Sequence, residues 1–344
     1  MEDPQLEDDN DDFDEEDIIP YGLPEEEEQE TAFNFSGAVS AAASSSSSRK
    51  RKAGDRDSND LTLLGVEMEI TAQERQGALA LRQAALDHMN DADNDDSEDE
   101  YGCSASMKDV LDRLSDMELV QYAMMEPNNF KGALGRMRKM DVFRRQYQIQ
   151  DTVEHGVACI QAFLEQQPGF SINLDQCARH KHYVHVMDFA KFNPRRVHLE
   201  SDWKVFLSGL YYFVLALNPN LSAVRNGVLG IVECDGMGWN NFCIDFERRM
   251  WYEHASAYPF RFHELSWVRT PLVGNVFFSL LKPIMPKEIA KVVHLGVKFD
   301  ESFEGRLDTL FLQPTPELAN QRQVQTARAF LEQHFHNRKH FQLF

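Results

Sequence analysis

The 344-residue sequence predicts an α/β fold with a mainly parallel sheet, preceded by an all-α subdomain and an acidic tail. From about residue 170 onward, apolar runs that suit buried strands alternate with helical patterns. Residues 106–166 carry helical periodicity throughout. Residues 1–100 hold 30 acidic and 7 basic residues, against 26 and 28 in residues 101–344. The net charge of −21 therefore belongs to the tail, and the remainder is almost neutral.

The first 60 residues are predicted to be a disordered acidic and serine-rich tail. Sixteen of the first 30 residues are acidic with no basic residue among them, and the serine run Ser44–Ser48 comes after them. Such a composition buries too little apolar surface to offset the chain entropy lost on folding. The basic run Arg49–Lys52 is compatible with a nuclear import signal or with an incidental group of charges.

Residues 61–105 are predicted to form an isolated helix and an acidic linker. Thr71 and Glu74 make a capping-box pair ahead of a helix over residues 71–89. The acidic run Asp91–Glu100 separates this helix from the rest of the chain. Two interpretations stay open, a lone and partly formed helix or a short helix that binds a protein partner.

Residues 106–169 are predicted to form a helical subdomain. Its clearest helix is capped by Asp151 followed by Glu154, and Pro168-Gly169 ends it. The apolar stripe of this helix is Val153, Val157, Ile160 and Leu164.

The α/β region is predicted as an ordered series of strands and helices. Predicted strands are Tyr183–Phe189, Gly227–Cys234, Phe260–Val268 and Lys291–Val297. Predicted helices are Asp202–Leu217, capped by Ser201, then Asn241–Ala257, Pro271–Met285 and a final one near Ala319–His336. Every residue of Gly227–Cys234 except Glu233 is apolar, as in a strand of a parallel sheet that is buried on both faces.

Several kinds of chemistry are not expected. Five cysteines without a CxxC pair favour neither a disulfide framework nor a zinc ribbon. Cys177, His180, His182 and His185 straddle a loop and a strand, where alternate side chains point to opposite faces, so no metal site is predicted. Gly236-Met237-Gly238 lacks the third glycine of a dinucleotide fingerprint. We expect no catalytic residues, no enzyme activity, no cofactor and no nucleic acid partner.

Neither a signal peptide nor a membrane-spanning segment is expected from the sequence. Met1–Asn10 is acidic rather than apolar, so no signal peptide is expected. The longest apolar stretches, Gly209–Leu217 and Val276–Leu281, are much shorter than the roughly 20 residues that span a bilayer. The sequence predicts a cytoplasmic protein.

An ordered series of motifs runs from Asn226 to Gly296. It comprises Asn226-Gly227, the turn Glu233-Cys234-Asp235-Gly236, then Ala257-Tyr258-Pro259, Thr270-Pro271, Lys282-Pro283 and Lys291-Val292-Val293-His294-Leu295-Gly296. This series resembles the CRAL-TRIO lipid-binding domain family, most of all its branch of α-tocopherol transfer and retinaldehyde-binding proteins and more distantly the phosphatidylinositol transfer proteins. Arg136–Val142 matches only half of the motif that the family carries in its helical subdomain, and the family's Gly-Gly is missing after Pro316.

The resemblance implies a CRAL-TRIO domain over residues 170–313, followed by a C-terminal helix over residues 314–344. In that fold the sheet floors an apolar lipid pocket and a mobile lid helix covers it. The lid would be Pro271–Met285, which is apolar nearly all round, a pattern that also fits a helix buried in an ordinary core. The expected pocket and lid residues are Phe262, Leu265, Trp267, Val273, Val276, Phe277, Leu280, Leu281 and Ile284.

The resemblance further implies a protein that holds one hydrophobic lipid, carries or presents it between membranes and contacts membrane surfaces transiently. Headgroup or phosphoinositide candidates are Arg261, His263 and Lys291, which are equally compatible with solvated surface charges. Phosphatidylinositol transfer proteins carry a glutamate where this chain has Phe260. The alternative function is a regulatory interaction module with a vestigial pocket, whose residues 1–100 recruit a protein partner.

Overall fold

The structure is a computed structural model that describes residues 69–91, 106–173, 177, 182–255, 257–297 and 316–343. These residues belong to one compact unit, residues 57–344. The predicted disordered tail, the basic run Arg49–Lys52 and most of the acidic linker lie outside the described residues.

Five helices form the first part of the described chain, as the periodicity predicts. They are α1 (Ala72–Asp91), α2 (Met107–Arg113), α3 (Asp116–Met125), α4 (Phe130–Gln146) and α5 (Val153–Gln166). The predicted cap of α5 is wrong by one residue, since the Thr152 hydroxyl accepts the hydrogen bond from the His155 N–H. Asp151 instead pairs with Arg144 and Arg338, at 3.1 and 2.7 Å.

Helix α1 is not isolated, contrary to the prediction. Ala78, Leu81 and Ala85 have no exposed surface, and the helix packs on α2, α3 and α4. These three residues recur at helical spacing and form an apolar stripe, which is what attaches the helix to the body. The predicted capping box is confirmed, since Thr71 and Glu74 exchange hydrogen bonds of 2.8 and 3.1 Å between backbone N–H and side chain.

The sheet has five strands in the order β1-β2-β3-β4-β5, so neighbours in sequence are neighbours in space. The strands are β1 (Phe170–Ile172), β2 (Val184–Asp188), β3 (Val228–Glu233), β4 (Phe262–Val268) and β5 (Val293–Val297). Strands β2 to β5 are parallel, which confirms the predicted fold class, and β1 is antiparallel to β2. Sequence analysis missed β1, because three residues are too few to show a strand period.

Helices connect the parallel strands. They are α6 (Glu200–Ala216), α7 (Ser222–Arg225), α8 (Ile244–Arg249, continued by a π-helix over Met250–Ala255), α9 (Leu272–Leu281) and α10 (Lys287–Ala290), and α11 (Pro316–His340) comes after the sheet. Ser201 does not cap α6. That helix begins at Glu200, two residues before the predicted start, and the Asp202 carboxylate accepts the N–H groups of His198 and Leu199.

Two predicted helices are shorter in the structure. The helix predicted from Asn241 begins at Ile244, after a turn of 3₁₀-helix. The helix predicted to reach Met285 ends at Leu281. Pro283 lacks the backbone N–H that would continue the hydrogen-bond ladder.

Aromatic packing joins the helices to the sheet. The Phe163 ring of α5 lies 4.8 Å from that of Phe170 in β1 and 6.0 Å from that of Phe213 in α6. Gly209 permits this approach, because a Cβ there would lie 2.1 Å from the Phe163 Cβ. Helix α11 packs on α5 and α6 from outside. The closely packed layer that α5, α6 and α11 form against the sheet is called the base of the fold below.

Candidate functional site

The predicted lid helix, α9, packs by one side on the segment that comes after β3. Phe277 has no exposed surface, and its ring stacks on Phe242 with centroids 4.5 Å apart. The Trp239 ring meets Phe277 edge-on at 5.1 Å. Contacts between aromatic rings stabilise the burial of this side of α9.

The other side of α9 exposes apolar side chains to solvent. Leu272 is 86% exposed, and Val276 and Leu280 are 46% and 47% exposed at successive spacings of four residues. Trp239, next to α9, is 62% exposed. We call these four residues the outer apolar surface. In the described part of the chain, no helix is long and apolar enough to cross a membrane.

On the sheet side, Phe262, Leu265 and Trp267 share one face of β4. In a regular strand Phe262 and Leu265 would point to opposite faces. A β-bulge at His263 changes this alternation. Val228 and Leu229 of β3 pair with Phe262 and Glu264, so His263 is left unpaired, and Phe262 and Leu265 come to lie on the same face. The bulge brings the three predicted pocket residues of β4 together.

A glycine in the central strand lets the side chains of Leu265 and Phe262 lie directly against the strand on this face. A Cβ at Gly230 would lie 2.4 Å from the Leu265 Cδ1 and 3.1 Å from the Phe262 Cε1. The ring of Trp267 lies 6.0 Å from that of Phe278 in α9. This face of the sheet is therefore the one that α9 covers.

Trp267 carries a polar group without an acceptor. Its side chain is 4% exposed, and its indole Nε1–H has no hydrogen-bond partner among the described residues. A buried donor left unpaired costs on the order of 1–3 kcal/mol. The indole N–H is therefore available to a polar atom of a ligand beneath α9.

An ion pair lies at the point where β4 leads into α9. Both carboxylate oxygens of Glu233, at the end of β3, accept from the Arg269 guanidinium at 2.6 to 3.0 Å. Glu233 is almost fully buried, and it also accepts the Asp235 N–H at 2.8 Å. Arg269 has a φ of +50°, in the left-handed region. We call Glu233 and Arg269 the hinge pair.

The predicted lid residues are distributed over both sides of α9 and its C-terminal turn. Phe277 and Leu281 are buried, and Val273 and Ile284 are half-buried. Val276 and Leu280 lie on the outer apolar surface. Sequence reasoning missed Trp239 and Gly230, because a tryptophan in a loop and a glycine in a strand carry no periodic signal.

The three headgroup candidates lie near the other end of the strands, away from the hinge pair. Arg261 precedes β4 and is exposed, and its guanidinium donates to the Arg225 carbonyl. Although Arg261 as a whole is exposed, desolvation of its guanidinium by the surrounding protein lowers its pKa below the ordinary value. His263 is the exposed bulge residue, and Lys291 is exposed just before β5.

The cysteine and histidines weighed as metal ligands do not converge in the described part of the chain. Burial raises the pKa of Cys177 to about 12 and lowers the pKa of His185 to about 4, so both are neutral core groups. His180 lies outside the described residues. Among the residues that the structure describes, no three His, Cys, Asp or Glu side chains are grouped to hold a metal ion.

Two cavities among the described residues lie elsewhere. One of about 470 Å³ is lined by Glu69, Arg75, His336, His340 and their neighbours. Another of about 240 Å³ lies between α1 and α2. Both have charged walls, which do not suit a lipid chain. The candidate site is therefore identified by its apolar face and unpaired indole, with α9 closed over it.

Residues 169–309 match the family model described as CRAL/TRIO domain. The match spans 141 of the 344 residues and confirms the resemblance at the level of this domain. No curated protein matches the chain. CRAL/TRIO domains are known for binding lipids or other small hydrophobic ligands and are in general not enzymes.

Proposed function

We propose that this chain, whose residues 169–309 match the CRAL/TRIO domain, binds one hydrophobic lipid between α9 and the sheet and presents it to membranes. The observation that carries the proposal is that α9 is apolar on both sides. It buries Phe277 and Leu281 on one side and exposes Leu272, Val276 and Leu280 on the other.

A lid between a lipid and a membrane needs this composition. The closed lid covers a ligand that gains about 0.8 kcal/mol for each buried CH₂ group, so the site competes with a bilayer. The open lid places the outer apolar surface in the membrane, which stabilises the open state only there. Release is thereby coupled to arrival at a membrane.

Trp239 and two lysines fit the same picture of a membrane-facing side. An indole at the edge of an apolar patch suits the interface between headgroups and acyl chains. Lys282 and Lys287 are exposed at and beyond the C-terminal end of α9, where they attract anionic headgroups. The proposed contact is peripheral, from the cytoplasm.

The unpaired Trp267 N–H bears on the ligand. A lipid with a hydroxyl, carbonyl or ether oxygen at the depth of Trp267 would accept this hydrogen bond, whereas a pure hydrocarbon would leave it unpaired. Arg261, His263 and Lys291 are proposed to contact an anionic headgroup, such as that of a phosphoinositide. None of these roles requires a nucleophile or a general base.

Native mass spectrometry of the protein purified from cells tests the proposal. We expect one non-covalent lipid per chain. Gly230→Val would collide with the side chains of Leu265 and Phe262 and displace them toward α9, so it is expected to remove most of that lipid. Gly135→Val is the matched control, because a Cβ at this helical glycine meets nothing within 4 Å.

Two outcomes contradict the proposal. A wild-type protein without bound lipid counts against it, and so does a folded Gly230→Val variant that keeps its lipid. Circular dichroism and the melting temperature show whether each variant is folded.

A further inference from the structure

Two histidines in the last turns of α11 lie on one face of the helix. His336 and His340 are four residues apart, a spacing that places side chains one above the other on a helix. Their ring centroids are 4.5 Å apart, and both side chains are exposed. The proposed lipid site does not use these two residues, which we call the histidine pair.

The separation of the two rings matches that of two imidazoles bound to one metal ion. With each Nε2 about 2.0–2.1 Å from the ion and an angle of about 90–110° between them, the ring centroids lie about 4.5–5 Å apart. Histidines four residues apart on a helix also supply two of the zinc ligands in the HExxH motif. Small rotations of the exposed side chains would aim both ring nitrogens at one point.

The backbone between the two histidines is held in place. The Asn337 side chain donates to the Pro219 carbonyl at 2.9 Å, and Arg338 pairs with Glu118 at 3.0 Å. The Phe341 N–H donates to the Asn337 carbonyl at 2.8 Å, so the helix keeps its hydrogen bonds up to its last residue. A fixed backbone presents both ligands together, which lowers the entropy cost of binding an ion.

The charges around the histidine pair do not exclude a cation. Helix α11 ends at His340, and the unpaired carbonyls at the end of a helix carry partial negative charge. Glu332 is exposed one turn before the pair, and Glu69 lines the same cavity as the pair. These carboxylates offset the positive charges of the exposed Lys339 and of Arg75, which also lines that cavity.

The cavity leaves room for the other ligands of an ion. It has a volume of about 470 Å³, and both histidines line it. Within the described ranges, no three His, Cys, Asp or Glu side chains are grouped to hold a metal ion, so water would fill the remaining positions. A metal site with open positions exchanges its ligands, unlike a structural zinc site with four protein ligands.

We propose that His336 and His340 form a two-histidine site for a divalent transition-metal ion of the zinc, nickel and copper class. These ions prefer imidazole, whereas Mg²⁺ and Ca²⁺ prefer oxygen ligands. The folded helix brings the two ligands together, so a bound ion stabilises the last turns of α11. The site lies outside the proposed lipid site, and neither site requires the other.

Calorimetric titration of the full chain with zinc chloride at about pH 7.5, above the ordinary pKa of an imidazole, tests the site. We expect a dissociation constant of about 1–100 µM, because the pair supplies only two of the four ligands of a structural zinc site. His336→Ala and His340→Ala should each weaken this binding by at least about tenfold. Zinc bound elsewhere on the chain stays in the variants, so their difference from wild type reports on the pair.

The combination of Gln325→His with His336→Ala is the matched control. It keeps the number of histidines in α11 but places the two exposed ones about 22 Å apart, at about 1.5 Å per residue along the helix. This variant should bind zinc as weakly as His336→Ala. His198→Ala removes an exposed histidine ahead of α6 and should bind zinc like the wild type.

Two further measurements are specific to the class of ion and to the fold. Magnesium chloride should give the same titration for wild type and His336→Ala, because it does not favour imidazole. Zinc at about 100 times the dissociation constant should raise the melting temperature of the wild type by a few degrees, and by less in His336→Ala. Circular dichroism shows whether each variant is folded.

Wild-type zinc affinity in both single variants would overturn the inference. A variant with Gln325→His and His336→Ala that binds zinc like the wild type would do the same, because the spacing of the two histidines would then be irrelevant.

Discussion

Helix α9 and the junction of α3, α4 and α11 place their side chains in opposite surroundings. Helix α9 exposes Leu272, Val276 and Leu280 to water. The junction buries charges instead, with Glu118 lying 3.3 Å from Arg144 and 3.0 Å from Arg338. We call Glu118, Arg144 and Arg338 the buried ion cluster.

The buried ion cluster lies in a fixed part of the molecule, whereas the proposed function requires α9 to move. Burial alone would raise the pKa of Glu118, but Arg144, Arg338 and the Ser115 N–H lower it to about 2. Buried charges are satisfied in one geometry only, so the cluster holds the helices in place. The outer side of α9 has no comparable polar contact among the described residues, and apolar surroundings would suit it better than water.

Breaking the buried ion cluster should have the largest effect. Glu118→Gln removes the buried carboxylate that both guanidinium groups contact and leaves them only the half-exposed Asp151 as an anionic partner among the described residues, so it should lower the free energy of unfolding by about 3–5 kcal/mol. Urea unfolding measures it. Glu154→Gln is the control, because Glu154 makes an exposed pair with Arg328, and it should change little. Equal losses of unfolding free energy in the two variants would show that the buried ion cluster contributes no more to stability than an exposed pair.

The pH dependence of stability should also trace to the junction. Burial lowers the pKa of His334 in α11 to about 4, well below the value of an unfolded chain. Below about pH 6.5 the unfolded chain binds a proton that the buried ring in the folded protein does not bind. The free energy of unfolding should therefore fall as the pH is lowered from about 6.5 to about 4, by up to about 3 kcal/mol in total. His334→Gln keeps a donor for the Asn218 carbonyl but cannot titrate. Its unfolding free energy should vary less over this range, and an unchanged pH profile would refute the assignment.

The outer apolar surface should govern membrane contact without affecting stability. Leu272→Ser combined with Leu280→Ser should weaken vesicle binding about tenfold or more, because each exposed leucine gains roughly 1–2 kcal/mol on burial in the bilayer. Leu199→Ser is the control, since Leu199 is 66% exposed but lies at α6. Vesicle sedimentation measures binding. If the control loses as much as the double variant, the contact is not specific to α9.

The hinge pair should set how fast the lid opens. Arg269→Gly keeps the left-handed backbone conformation but removes the ion pair with Glu233, so a bound fluorescent lipid should transfer to acceptor vesicles a few-fold faster. Arg249→Gln removes an arginine–carboxylate pair with Glu200 that does not join α9, and it should leave the rate unchanged. A slower or unchanged rate in Arg269→Gly would contradict the role of the hinge pair.

Sequence patterns predicted the repeating elements but not the exceptions that shape the site. The apolar run Gly227–Cys234 and the helical spacing in Pro271–Met285 are periodic, and both appear in the structure as β3 and α9. The bulge at His263 is not periodic, since it depends on how β4 pairs with β3. The packing of α1 on the body could not be predicted from the sequence, because its contacts, such as that of Glu74 with Arg225, join residues far apart in the chain.

Fluorescence quenching by a brominated lipid tests whether a lipid lies between α9 and the β4 face. A variant that keeps Trp267 and replaces the other tryptophans with phenylalanine is loaded with a lipid brominated on its acyl chain. A matched variant keeps only Trp203, which stacks on Phe246 with centroids 4.9 Å apart in the base of the fold. We expect strong quenching of Trp267 and weak quenching of Trp203. Equal quenching of the two tryptophans, or none at Trp267, would show that no lipid lies beneath α9.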